Sequence, residues 1–116
     1  MARLLAWLPS ALVLGELSIF YSLVVRMRLV TGRWPVVYGT DASEAGVVLH
    51  VNLALFGLLV AMTSPGLGVV TMVAASKLGL PRKQLLIALA VFVSLYGSAV
   101  LLFWSDPGRF WDWFLD

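Results

Sequence analysis

Two ionisable residues fall where the apolar sequence predicts helix interiors: Glu16, at the middle of the first apolar run, and His50, early in the second. An ionisable group inside a membrane span is unfavourable by several kcal/mol unless it is paired, protonated or hydrated. Helical angle places Glu16 on the Phe20 side of its helix, away from the small residues Ala11, Gly15, Ser18 and Ser22. It therefore points at a second neighbour or at another chain. His50 is expected to enter from the cytoplasmic end of the second span and to reach a similar depth, and a Glu16–His50 pair would respond to protons. Lys77 is a second candidate partner, and Asn52 completes the set of intramembrane polar candidates. His50 also lies among small residues, surroundings that suit axial ligation of a pigment or haem by a neutral imidazole. The plain alternative is that Glu16 and His50 are hydrogen-bonded within the bundle and fix its packing.

Other chemistries find no support. Without cysteine there is no disulfide, thiolate nucleophile or iron–sulfur ligand, and a single histidine excludes a bis-histidine haem within one chain. No metal-site spacing occurs. Gly66-Leu67-Gly68 follows no strand and is not a dinucleotide fingerprint, and the serines within the spans lack a histidine and acid at recognisable spacing. Asp41 and Glu44 are explained as residues near a helix start. The chain is read as a non-enzyme. Its formal net charge is only +2, with basic residues beside apolar ends, so no nucleic-acid partner is expected.

The elements that must position these residues are membrane helices. Hydrophobic residues make up 61% and charged residues 12% of the 116, against roughly 45–50% and 25% in soluble domains. Mean hydropathy is +0.98. A span needs about 20 apolar residues, so this length allows three or four crossings in one transmembrane helical domain covering 1–116. The expected fold is all-α, an integral membrane four-helix bundle with spans at about 4–25, 45–63, 66–80 and 84–104, turning at Ser64-Pro65-Gly66. Glu16 within the first run argues for a retained span rather than a signal peptide.

The basic residues decide the span number. Arg26, Arg28 and Arg33 form one cluster and Lys77, Arg82 and Lys83 another, together six of the eight basic residues. Cytoplasmic flanks are enriched in Lys and Arg, and both clusters share a face only if residues 45–80 cross twice. Span 66–80 is short, rising about 22 Å against a hydrocarbon core of roughly 30 Å, and Lys77 in its last turn would have to snorkel. The three-span rival lays 66–80 in the interface and puts the clusters on opposite faces. With four spans both termini are non-cytoplasmic.

Small residues at helical spacing mark contact faces in lipid. Besides the stripe of the first span they are Gly46, His50, Ala54, Gly57 and Ala61, then Gly68, Thr71, Ala75 and Gly79, then Ala90, Ser94 and Ser98 with Gly97 beside them. They predict a compact bundle with one or two stripes available to another subunit. The polar loop offers Arg33, Trp34, Tyr38 and Asp41 for contacts. After the last span, Trp104, Phe110, Trp111 and Trp113 are expected to anchor a C-terminal interfacial aromatic segment, capped by Asp106 with Pro107 at its first helical position.

The loop Gly32-Arg33-Trp34-Pro35-Val36-Val37-Tyr38-Gly39-Thr40-Asp41, followed by His50 and by Asp106-Pro107-Gly108 with Trp113-Phe114-Leu115-Asp116, resembles a group of small, largely uncharacterised bacterial multi-pass inner-membrane proteins. Their loop is of Trp-Pro-x-Tyr-Gly type, from which this one departs by one residue, Val36 or Val37. The resemblance implies a bacterial inner-membrane location and carries no activity. The function expected is that of a non-catalytic accessory or scaffolding subunit, with the lipid bilayer and other membrane subunits, or further copies of itself, as partners. One alternative is a small oligomeric transport or proton-conducting protein using Glu16 and His50. A second is a pigment- or haem-binding subunit through His50; otherwise no cofactor is expected.

Overall fold

A computed structural model describes residues 1–35 and 47–115. Helix α1 (Ala2–Thr31), α2 (Val48–Lys77) and α3 (Arg82–Ser105) are followed by a 3-10 turn, Pro107–Arg109, and a short helix α4 (Phe110–Leu115). The all-α helical bundle expected from the sequence is the fold observed. Its three long helices are apolar enough to cross a membrane and fit a membrane protein. At 1.5 Å per residue they rise about 45, 45 and 36 Å, each beyond the roughly 30 Å hydrocarbon core.

The segmentation differs from expectation. Segments 45–63 and 66–80 are not two spans: α2 runs unbroken through Ser64, Pro65 and Gly66. Pro65 is on the exposed side, where the loss of one backbone hydrogen bond leaves the helix intact. In lipid, breaking the helix would strand more backbone groups than one proline removes. The two small-residue stripes are also one. His50, Ala54, Gly57, Ala61, Ser64, Gly68, Thr71 and Ala75 step by four and three residues without losing phase across Pro65, and Ala54, Ser64, Gly68, Thr71 and Ala75 are buried.

That seam takes α1. The large residues of α1 fill it: Pro9 packs at Gly68, where a β-carbon would stand 3.6 Å from the proline ring, and Glu16 packs at Gly57. Ala11 and Ser18, expected on the contact face of α1, are exposed instead, and Ser22, though exposed, meets α2 through His50. Ala6, Ala75 and Ala88, all fully buried, let the three helices converge at the end carrying the α2–α3 turn. At the other end Phe20, Leu23, Val24 and Met27 form a core with Val47, Ala54, Trp111 and Trp113. The α1 helix stops at Gly32, whose φ of 75° is the left-handed conformation of a helix C-cap and whose N–H donates to the Arg28 carbonyl at 3.0 Å.

Three antiparallel helices separate the basic clusters. Arg3, Lys77, Arg82 and Lys83 lie at one end and Arg26, Arg28, Arg33 and Arg109 at the other, four against four. The shared cytoplasmic face inferred for the two clusters is therefore overturned, and with it the placement of both termini on one side. Met1 and α4 lie at opposite ends, and the count of basic residues no longer selects an orientation.

Candidate functional site

His50 and Glu16 do not meet. His50 Nε2 lies 3.0 Å from Ser22 Oγ and 3.1 Å from the Ile19 carbonyl oxygen, both on α1. A carbonyl only accepts, so Nε2 carries the hydrogen; Ser22 Oγ–H in turn donates to the same Ile19 carbonyl at 2.8 Å. The ring thus fastens the start of α2 to the last third of α1. Ligation of a metal centre through Nε2 would require His50 to leave this contact. Gly57, which faces Glu16, is seven residues on, about 10 Å along α2. Lys77 is a further 20 residues away, about 30 Å. Neither basic candidate reaches Glu16. Asn52 is exposed on α2.

Glu16 is 4% exposed, and neither carboxylate oxygen has a hydrogen-bond partner among the described residues. Glycine at position 57 is what admits it: a β-carbon there would collide with Oε2 and lie 3.2 Å from the carboxyl carbon. On its other side Glu16 lines a cavity of about 360 Å³. The walls come from Val13 and Leu17 of α1, Ala61 and Met62 of α2, and Tyr96 and Phe103 of α3, among others, with Trp111 of α4 at one end. Tyr96, Ala99, Val100 and Phe103 recur at helical spacing, a face that sequence periodicity could have assigned to the neighbour of Glu16. The indole N–H of Trp111 is also buried with no partner among the described residues; neither it nor the Glu16 carboxylate presents surface to the cavity, whose lining is almost wholly apolar.

The aromatic tail is what closes that end. The Asp106 carboxylate accepts from the backbone N–H of Trp111 and of Asp112, each at 2.9 Å, and so caps α4 as expected, with Pro107 opening the preceding turn. The chain reverses at Gly108, φ 81°, where a β-carbon would strike the Phe110 ring at 2.8 Å. Trp111 then stacks on Phe20 with centroids 3.6 Å apart and planes within 6°. Trp111 and Trp113, expected as interfacial anchors, are only 4% and 8% exposed and pack within the protein; Phe110 is half-buried, and Trp104, at 80%, faces outward.

Of the loop contacts, Trp34 sits with the Arg28 guanidinium 5.7 Å from its ring centre and Phe110 at 6.0 Å. The Arg33 carbonyl accepts from Thr31 Oγ1 at 2.9 Å. Tyr38 and Asp41 lie outside the described residues. Compared with known protein families, curated proteins and solved structures, the chain matches none.

On α3, Ala90, Ser94, Gly97 and Ser98 are all exposed. Their hydroxyls are satisfied within the helix: Ser94 Oγ donates to the Ala90 carbonyl and Ser98 Oγ to that of Ser94, each at 2.8 Å. This small-residue face is turned away from the other two long helices.

Proposed function

We propose that the protein is a multi-pass subunit of a bacterial inner membrane that crosses three times and acts, without catalysis, as an accessory or scaffolding part of a larger membrane assembly. The outward small-residue face of α3 carries the reading. No hydrophobic effect drives helices together in lipid, so a face of Ala90, Ser94, Gly97 and Ser98 is favourable where a second helix can approach closely. With its hydroxyls bonded to their own backbone, such a face meets a helix without stranding a polar group. Its occupant is a transmembrane helix of another subunit. The test is the size of the tagged protein and its companions after mild detergent extraction, for the wild type and for Gly97→Leu/Ser98→Leu. A defined assembly that the double substitution disperses, with helicity unchanged, is the expected result. A monomer in both cases refutes the reading.

A second reading, a small oligomeric transport or proton-conducting protein, is favoured by the unpaired Glu16 carboxyl in the middle of α1. In it Glu16 acts without His50, which is engaged elsewhere. Proton flux into liposomes that Glu16→Gln abolishes would support it; wild-type protein with no flux above empty liposomes would sink it.

A further inference from the structure

The two ends of the bundle differ in charge although each carries four basic residues. None of the six acidic residues falls at the end formed by Met1 and the α2–α3 turn: Glu16 is within α1, Asp41 and Glu44 follow α1 in sequence, and Asp106, Asp112 and Asp116 follow α3. At the opposite end Arg109 is paired with Asp112 at 3.1 Å. Lys77, Arg82 and Lys83 are exposed and make no side-chain hydrogen bond or ion pair with the described residues. Only four residues, Leu78 to Pro81, separate α2 from α3, and Gly79 at φ 85° reverses the chain. Three free cations are therefore gathered where two spans end. Directly below them, α2 and α3 enclose a groove of about 430 Å³ that none of their charged residues lines. It runs along α2 from Ser76, next to Lys77, to Pro65, and along α3 from Leu85 to Val93. Val69 and Leu89 on its open side are exposed, so it is reached from the lipid. From Ser76 to Pro65 the rise is about 16 Å, close to half of the roughly 30 Å hydrocarbon core and so the depth of one leaflet.

We propose that the turn and the groove together form a binding site for one anionic phospholipid of the surrounding bilayer, with its phosphate at Lys77, Arg82 and Lys83 and an acyl chain in the groove. Basic residues at the end of a span attract anionic head groups, and a phosphate has acceptor oxygens for several cationic donors at once. A zwitterionic or neutral lipid could seat the same chain but would bring no net negative charge to the basic, acid-free end. A soluble anion would meet the cations but has no chain to bury. Only an anionic lipid uses both parts. The α3 residues that line the groove are a different set from Ala90, Ser94, Gly97 and Ser98, so the site stands whether or not a second subunit covers that face.

The test compares two lipids that share their acyl chains and differ in head-group charge. The full-length protein in a maltoside detergent is titrated with phosphatidylglycerol and separately with phosphatidylcholine, and bound lipids are counted by native mass spectrometry. One saturable phosphatidylglycerol is expected, with phosphatidylcholine weaker by about tenfold or more. Lys77→Gln/Arg82→Gln/Lys83→Gln should bring the anionic lipid down to the level of the zwitterionic one. Arg26→Gln/Arg28→Gln/Arg33→Gln, which removes as many charges from the other end, should leave it unchanged. Leu89→Trp fills the groove, keeps every charge and should weaken phosphatidylglycerol by about tenfold. All of these positions are exposed, and circular dichroism should show unchanged helicity in each variant. Equal affinity for the two lipids, or equal losses from the two basic clusters, would reduce the effect to general attraction and overturn the proposal. So would the absence of saturable binding, binding that survives Leu89→Trp, or displacement of the lipid by glycerol phosphate, which would identify a site for free phosphate.

Discussion

The seam between α1 and α2 is closed by small residues of one helix set against large residues of the other, whereas α2 and α3 stand apart over a cavity that α1 also lines. In the seam, the small residues of α2 accept the large ones of α1, and His50 is bonded on the neighbouring helix to a hydroxyl and a carbonyl. Glu16, packed in the same seam at Gly57, has no hydrogen-bond partner among the described residues; next to it a cavity stands open, and the small residues of α3 face outward. Close packing and satisfied polar groups hold a helix pair in lipid.

Breaking the closed end of the molecule should have the largest effect. Phe20→Ala removes the ring on which Trp111 stacks and leaves a hole in the core shared by α1 and α4, a loss of about 3 kcal/mol. Thermal melts should show it, with a red shift of tryptophan emission as Trp111 and Trp113 become wet. Opening the seam itself comes next. Gly57→Leu drives a branched side chain into Glu16 and Ile19, and overpacking of this kind costs about 2 kcal/mol. The same bulk at Gly97 on the open face of α3 should leave the melt of the isolated chain within about 0.5 kcal/mol. Equal effects at the two glycines would erase the distinction between seam and gap.

Two smaller changes sharpen it. Asp106→Ala removes both acceptors at the start of α4 and should cost about 1 kcal/mol, with faster proteolysis of the tail as the readout. His50→Ala removes the link to Ser22 and Ile19. Interhelical hydrogen bonds in membranes average about 0.6 kcal/mol, so a shift of that size is expected, and His50→Phe should not restore it.

The sequence carried the helical class, the outer two spans, the Asp106 cap and the side of α1 on which Glu16 lies. It misled at Ser64-Pro65-Gly66 because proline and glycine punctuate helices in water, whereas in lipid an interrupted backbone has no water to turn to. The correct answer was present in the unbroken phase of Gly57, Ala61, Ser64 and Gly68. Reading a turn there brought the two basic clusters to one face and gave the charge rule a weight it does not have with four basic residues at each end. The Glu16–His50 pair failed for a different reason. Depth in a span is legible from sequence, but the register between two helices is set by which large residue enters which small gap, here Pro9 at Gly68 and Glu16 at Gly57. Trp111 likewise looked like an interfacial residue until Gly108 and Asp106 folded the tail back onto Phe20.

The central claim is that Glu16, buried without a hydrogen-bond partner among the described residues, costs the bundle stability. The most direct measurement is the thermal melt of Glu16→Met against the wild type in the same nanodiscs, followed by circular dichroism. Replacing an unsatisfied buried acid with an apolar side chain of similar length removes a polar group without a partner among the described residues, so Tm should rise by a few degrees. A fall in Tm would mean that Glu16 is a structural bond of the bundle, and would contradict the account.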